Sequence, residues 1–94
     1  VVDEGGVYLG GSIVPGINLS AEALYGKTAR LPKVAISKPL NIIGKSTVES
    51  IQSGLYYGNL SMIKGVIDAI NKELGKSTKV IVTGGLMDVF KNDM

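Results

Sequence analysis

Lys79-Val80-Ile81-Val82-Thr83-Gly84-Gly85-Leu86 is the stretch that decides how this chain reads. Val80 to Val82 form a short, continuous apolar run of β-favouring residues, the pattern of a central strand buried on both faces. The run ends on two adjacent glycines, and Leu86 to Phe90 then reads as the start of a helix. Glycine has no Cβ, so a strand that ends in Gly-Gly at a helix start lets a ligand come close to the backbone. The same junction also reads as a plain tight turn. Thr83 is likewise either an ordinary strand residue or a hydroxyl aimed at a sugar or phosphate.

Upstream, apolar residues recur at helical spacing from Ser46 to Leu74: Val48, Ile51, Leu55, Met62, Val66, Ile70 and Leu74. Ser46 or Thr47 can cap this helix, and Glu49 stands three residues after Ser46 as in a capping box. Gly75 supplies the C-cap. The element would be roughly 40 Å long at about 1.5 Å per residue, more than a small globule needs. Within it Ser50, Gly54, Gly58 and, less strictly, Ser61 and Gly65 make a stripe of small residues. Each interior glycine costs about 1 kcal/mol relative to alanine. Close backbone approach offsets that cost, either by a sheet of the same domain or by a second subunit. Tyr56 and Tyr57 flank the stripe and can bury their rings at such a contact.

Before the long helix, Val1 to Gly11 reads as two short strands joined by Asp3-Glu4-Gly5-Gly6. Ile13-Val14-Pro15-Gly16 is a second turn. Asn18 or Ser20 can cap a helix that begins near Ala21 and runs through Ala29 to about Leu31, where Pro32 stops it. Val34-Ala35-Ile36 reads as a short extended piece.

Ninety-four residues make one small domain. Apolar residues account for 45% of the chain and mean hydropathy is +0.27, high values that point to surface meant for an interface. The chain opens inside an apolar pattern, without Met, and the expectation is an excised piece of a longer protein. Ten basic and eight acidic residues give a net charge of +2, and no two basic residues are adjacent, which argues against a nucleic-acid footprint. Cysteine and histidine are both absent, which removes thiolate chemistry, an imidazole base and the usual soft metal ligands. No apolar run is long enough to span a membrane. Asp3, Glu4, Glu22, Glu49, Asp68 and Glu73 are scattered surface charges rather than a catalytic pair. From its residues alone, the chain can bind but has no visible catalytic group. Thr47 is either a helix cap or a hydroxyl that meets a polar ligand beside exposed helix amides.

The order of Gly10-Gly11-Ser12-Ile13-Val14-Pro15-Gly16, Ala23-Leu24-Tyr25, Thr28-Ala29-Arg30-Leu31-Pro32-Lys33-Val34, Gly44-Lys45-Ser46-Thr47-Val48-Glu49-Ser50-Ile51-Gln52-Ser53-Gly54 and Thr83-Gly84-Gly85 closely resembles the C-terminal half of type III pantothenate kinases. Related sequences also carry the label of Bvg accessory factor (Baf) transcriptional activators. The resemblance implies an α/β fold, with residues 1–94 forming part of the C-terminal ribonuclease H-like domain of a two-domain kinase in the acetate and sugar kinase/Hsp70/actin superfamily. It implies transfer of the ATP γ-phosphoryl to the 4′-hydroxyl of pantothenate, in the cytoplasm, by a homodimer that uses Mg2+ and a monovalent cation, K+ or NH4+. By that resemblance Thr47 is the pantothenate-contacting threonine and Thr83, Gly84 and Gly85 the adenosine motif, with Gly10 and Gly11 carried along as ATP-binding. The family's Asp-x-Gly-Asn-Thr phosphate motif and its catalytic Asp in a Gly-x-Asp-Arg segment do not occur in these residues, and the cation-binding Asp is expected upstream of Val1. The expectation is therefore an active parent enzyme and a piece that turns over nothing alone. The competing expectation is a non-catalytic regulator on the same fold.

Overall fold

A computed structural model describes residues 1–26 and 31–93. Helix α1 covers Ile17–Gly26, helix α2 covers Thr47–Leu74, and a five-residue 3-10 helix covers Gly85–Val89. At about 1.5 Å per residue, α2 alone accounts for most of the longest dimension, and the molecule measures 49 × 26 × 22 Å. Its radius of gyration is 15.7 Å, against about 12 Å for a closed globule of this length. The chain is thus arranged along a helix rather than wrapped around a central core.

Both ends of α2 are set by local chemistry. Ser46 has extended backbone, and its hydroxyl accepts the Glu49 amide at 3.1 Å. The Glu49 carboxylate reaches back to accept the Lys45 amide at 2.8 Å. This is capping-box reciprocity with the acid bonded one residue before the cap. The cap is therefore Ser46, and Thr47 is the first helical residue. At the other end Gly75 takes φ 72°, its amide bonds the Lys72 carbonyl, and the Lys76 amide bonds Asn71. That pairing is a Schellman motif, which needs the left-handed conformation glycine adopts freely.

The core lies on the N-terminal half of α2. Ile51, Leu55, Tyr56 and Leu60 recur on one helical face and are buried against Ile17 and Ala21 of α1 and against Phe90. Asn59 is buried with them and donates to the Leu55 carbonyl at 2.7 Å, so its amide carries a bond into the core. Beyond Leu60, Met62, Val66, Ile70 and Leu74 are only half-buried, while Val48 at the start is exposed. The segment from Leu31 to Lys45 wraps the first turns of α2. Val34 and Ile36 pack on the core, Ser53 donates to the Ile42 carbonyl, and Gln52 donates to Ser37 at 3.3 Å. Gly44 rides directly on the helix: a Cβ there would stand 2.5 Å from the Ser50 nitrogen.

Several expectations need correction. Among the described residues no segment forms a ladder, so the sheet of the expected α/β fold is not seen in them. Val80 to Val82 takes no regular secondary structure, and Ile81 is 84% exposed. High β propensity makes a strand only where a neighbouring strand completes its hydrogen bonds, and no described segment pairs with it. The expected N-terminal hairpin reduces to a single antiparallel bridge between Val2 and Tyr8. Its turn does form, because the Asp3 carboxylate accepts the Gly5 and Val7 amides, each at 2.9 Å. Helix α1 begins at Ile17, four residues before the expected start. Burial of Ile17 and Ala21, one turn apart, draws the first turn in, and the Ser20 hydroxyl bonds back to the Gly16 carbonyl instead of capping. The expected continuation through Ala29 lies outside the described residues. Leu86 to Phe90 starts with a 3-10 helix rather than an α-helix. Of the two contacts open to the Tyr56 ring, one within the domain or one with a second subunit, the structure shows the first in part: Tyr56 is 1% exposed within this chain, packed on the residues around α2.

Tyr56 also anchors the far end of the chain. Its ring meets Tyr57 edge-on and Phe90 at a tilt, both with centroids 5.2 Å apart. Its hydroxyl donates to the Asp93 carboxylate, which also pairs with Lys38 at 3.0 Å. The hydrogen bond to Asp93, helped by burial, pushes the Tyr56 phenol up to about 12. The same bond, with Lys38 behind it, holds the Asp93 carboxyl below its ordinary value.

Gly44→Ala should destabilise the fold by about 1–3 kcal/mol in urea unfolding, because its methyl meets helix backbone rather than a yielding side chain. The Tyr56 shift sets a second expectation. The native state holds the phenolic proton more tightly than the unfolded chain, so this contribution is complete below about pH 10 and is lost as pH rises through about 12. Tyrosinate absorbance should therefore show one group ionising last, near that pH, and Tyr56→Phe should remove it.

Candidate functional site

The N-terminus of α2 opens onto a cleft of about 700 Å³. Gly44, Lys45, Ser46 and Thr47 form one wall, the exposed Ser50 and Gly54 continue it along the helix, and Leu24 of α1 faces them. With Ser46 serving as the cap, the Thr47 hydroxyl is released from that structural role and is exposed. A hydroxyl beside the positive end of a long helix suits a polar or anionic group. Lys45 adds a cation to the same wall.

Thr83, Gly84 and Gly85 lie farther along α2. Gly84 has φ 105°, a conformation that favours glycine, and the space where a Cβ would stand at Gly84 and Gly85 is open. Thr83 and Gly84 border a hollow of about 600 Å³ whose charged edges are Lys64 of α2, Asp88 and Lys91. On their other side, with Gly85, they border a more apolar hollow of about 300 Å³ that reaches Gly16, Ile17 and Phe90. The motif thus has free backbone, one hydroxyl and two nearby cations, the residue types a phosphorylated ligand needs. Lys64 and Lys91 escaped the sequence reading. Lys64 looks like any solvated helix lysine, and only the return of the chain past Val80 places it beside Thr83.

Gly10 and Gly11 stand apart from both places. They line a small hollow of about 120 Å³ with Ile70, Glu73 and Leu74 at the C-terminal end of α2. Gly10 has φ 123° and its carbonyl accepts the Val1 amino group at 2.6 Å. Thr47 and Leu74 lie at opposite ends of a helix about 40 Å long, and none of the hollows described above for Thr47 or for Thr83 to Gly85 includes these glycines. Among the described residues no group of three or more His, Cys, Asp or Glu side chains stands close enough to hold a metal ion. No helix among them is long and apolar enough to cross a membrane.

A family model described as type III pantothenate kinase matches residues 1–69. A type III pantothenate kinase of Solibacter usitatus (strain Ellin6076) is 55% identical over 84 residues, which is 89% of this chain and 32% of the relative. Those of Persephonella marina (strain DSM 14350 / EX-H1) and Rhodospirillum rubrum (strain ATCC 11170) are 55% and 49% identical over 90% and 96% of this chain. The chain spans about a third of the length of these curated relatives. With most of its residues inside the family match and about half of them identical to these kinases, the chain belongs to the type III pantothenate kinase family.

Proposed function

We propose that residues 1–94 are part of the C-terminal ribonuclease H-like domain of an ATP:pantothenate 4′-phosphotransferase, acting in the cytoplasm in coenzyme A synthesis. The observation that carries this reading is the 49% identity to a type III pantothenate kinase over 90 residues, a stretch long enough to take in both the Thr47 segment and the Thr83-Gly84-Gly85 segment. In this reaction the pantothenate 4′-oxygen forms a bond to the γ-phosphorus, the bond from that phosphorus to the β–γ bridging oxygen breaks, and ADP leaves. The hydroxyl proton passes to a base. Positioning and charge stabilisation dominate such transfers, and this chain's share is positioning. Thr47 binds pantothenate at the start of α2, and Thr83 to Gly85 take the adenosine end of ATP, with Lys64 and Lys91 at the edge of the same hollow. Gly10 and Gly11 are kept as nucleotide-binding only if the rest of the protein brings ATP to that end of α2.

We place the base, and the ligands for Mg2+ and the monovalent cation, outside these residues: among the described residues no group of three or more His, Cys, Asp or Glu side chains could hold a metal ion. Those cations would supply charge neutralisation at the phosphates when bound. The β-favouring Val80 to Val82 and the exposed apolar side chains fit an actin-like α/β fold in which further strands complete the sheet. The stripe of Ser50, Gly54 and Gly58 is exposed, with open space around both glycines, which suits the seam of a homodimer along α2.

Full-length protein supplied with ATP and pantothenate should release ADP in a pantothenate-dependent manner, faster with K+ than without, while residues 1–94 alone should not. Thr47→Ala should raise the pantothenate KM about threefold to tenfold, the worth of one hydrogen bond, and leave the ATP KM in place. A folded full-length protein with no turnover would refute the kinase reading. For the dimer, Gly58→Ala should leave the light-scattering mass of the full-length protein at that of a dimer, and Gly58→Leu should halve it. An unchanged mass in Gly58→Leu excludes the stripe as the seam.

A further inference from the structure

The chain between Thr78 and Phe90 runs back along α2 as a strap fixed at two ends. At the first end the Thr78 amide and hydroxyl both donate to the Asn71 side chain, at 3.1 and 2.7 Å. At the second end Phe90, 2% exposed, packs on the Tyr56 ring, and the Asp93 amide closes a turn onto the Phe90 carbonyl at 2.9 Å. Asn71 and Tyr56 are fifteen residues apart on α2, a span of about 22 Å. Between the two anchors Lys79 to Gly85 is exposed, and Gly84 and Gly85 contribute no side chain that could pack. Where Thr83, Gly84 and Gly85 sit therefore depends on how firmly the two ends are held. The second end is the closer one, because Gly85 is only five residues from Phe90 and the intervening turn is a 3-10 helix.

Asp93 ties that end to two other segments at once. One carboxylate oxygen takes the Tyr56 hydroxyl of α2, and the group also pairs with Lys38 of the segment that wraps the start of the helix. We propose that Asp93 is a positioning residue for the nucleotide: through Tyr56 and Lys38 it holds the Phe90 turn against α2, and so fixes Thr83-Gly84-Gly85 at one place beside Lys64. The inference rests on the reading of Thr83 to Gly85 as the adenosine motif. It does not follow from the motif, because Asp93 neither borders the hollow beside Thr83 nor belongs to the residues that carried the family resemblance.

The test is steady-state kinetics of the full-length protein with Tyr56→Phe, Asp93→Ala and the double variant. Tyr56→Phe keeps the ring that fills the core and removes only the hydroxyl, so folding is preserved. Each single variant should raise the ATP KM about threefold to tenfold, with the pantothenate KM and kcat within twofold of wild type. The double variant should be no worse than Asp93→Ala, since both changes remove one shared interaction. A purely structural role would lower the melting temperature or the active fraction and leave the ATP KM where it was, which would overturn the inference while wild-type turnover left the kinase reading intact. Effects that multiply in the double variant, or a pantothenate KM that rises equally, would overturn it as well. If wild type shows no turnover, calorimetric titration with ATP decides: weaker binding by both single variants upholds the positioning role without the kinase, and equal binding, or no binding by wild type, removes it.

Discussion

One constraint shapes the whole chain: a helix of 28 residues must bury an apolar face with only the short segments around it. Those segments suffice for half the task. Ile17 and Ala21 of α1, the wrapping segment at Val34 and Ile36, and Phe90 all converge on Ile51 to Leu60. Among the described residues no side chain from Met62 to Leu74 is fully buried: Ile63 reaches the core, and Met62, Val66, Ile67, Ile70 and Leu74 stay half-buried. Leu40, Ile81 and Ile13 face solvent outright. Buried apolar area is the main stabilising term in folding. The N-terminal half of α2 is thus the stable part of the chain, and the strap from Thr78 onward depends on its anchors.

What could be read from the sequence follows the range of the forces involved. Helix α2 was legible to within one residue at its start because its determinants are local: the apolar period, Ser46 with Glu49, and Gly75. The turn at Asp3 was legible for the same reason, since an Asx turn needs only its own few residues. The strand at Val80 was legible as a propensity and fails as a structure, because a ladder is a property of two segments and the described residues supply one. The start of α1 was misplaced because Asn18 and Ser20 look like caps, while the burial of Ile17 against α2 decides the matter. That is a tertiary effect overriding a local preference.

The candidate site divides in the same way. Thr47 was ambiguous in sequence between a cap and a ligand contact, and the structure removes one side of the ambiguity by giving the cap to Ser46. The glycines at 84 and 85 read in sequence as room for a close approach or as a plain turn; the structure gives Gly84 a positive φ and leaves open space at both. Lys64, Lys91 and Asp93 were not legible. Each is an ordinary surface charge by type and position. Each acquires meaning only from a chain reversal that brings residues tens of positions apart into one place, as Tyr56 and Asp93 are 37 apart.

Set along α2, these features assign different work to different parts of one helix. Its first turn offers a cap-free threonine and a helix dipole to a polar ligand, its middle supplies the buried Tyr56 and the lysine beside Thr83, and its last turn holds the first anchor of the strap through Asn71. A rigid rod of this kind fixes distances that flexible loops cannot. The separation between Thr47 and the glycine strap is then set by helix rise, about 1.5 Å per residue, and by the anchors alone. A scaffold that sets the distance between two clefts can hold two ligands in a fixed relation even when it carries no acid or base. A chain without a histidine or a paired carboxylate can still do such work, because position is fixed by packing, capping and hydrogen bonds rather than by groups that titrate.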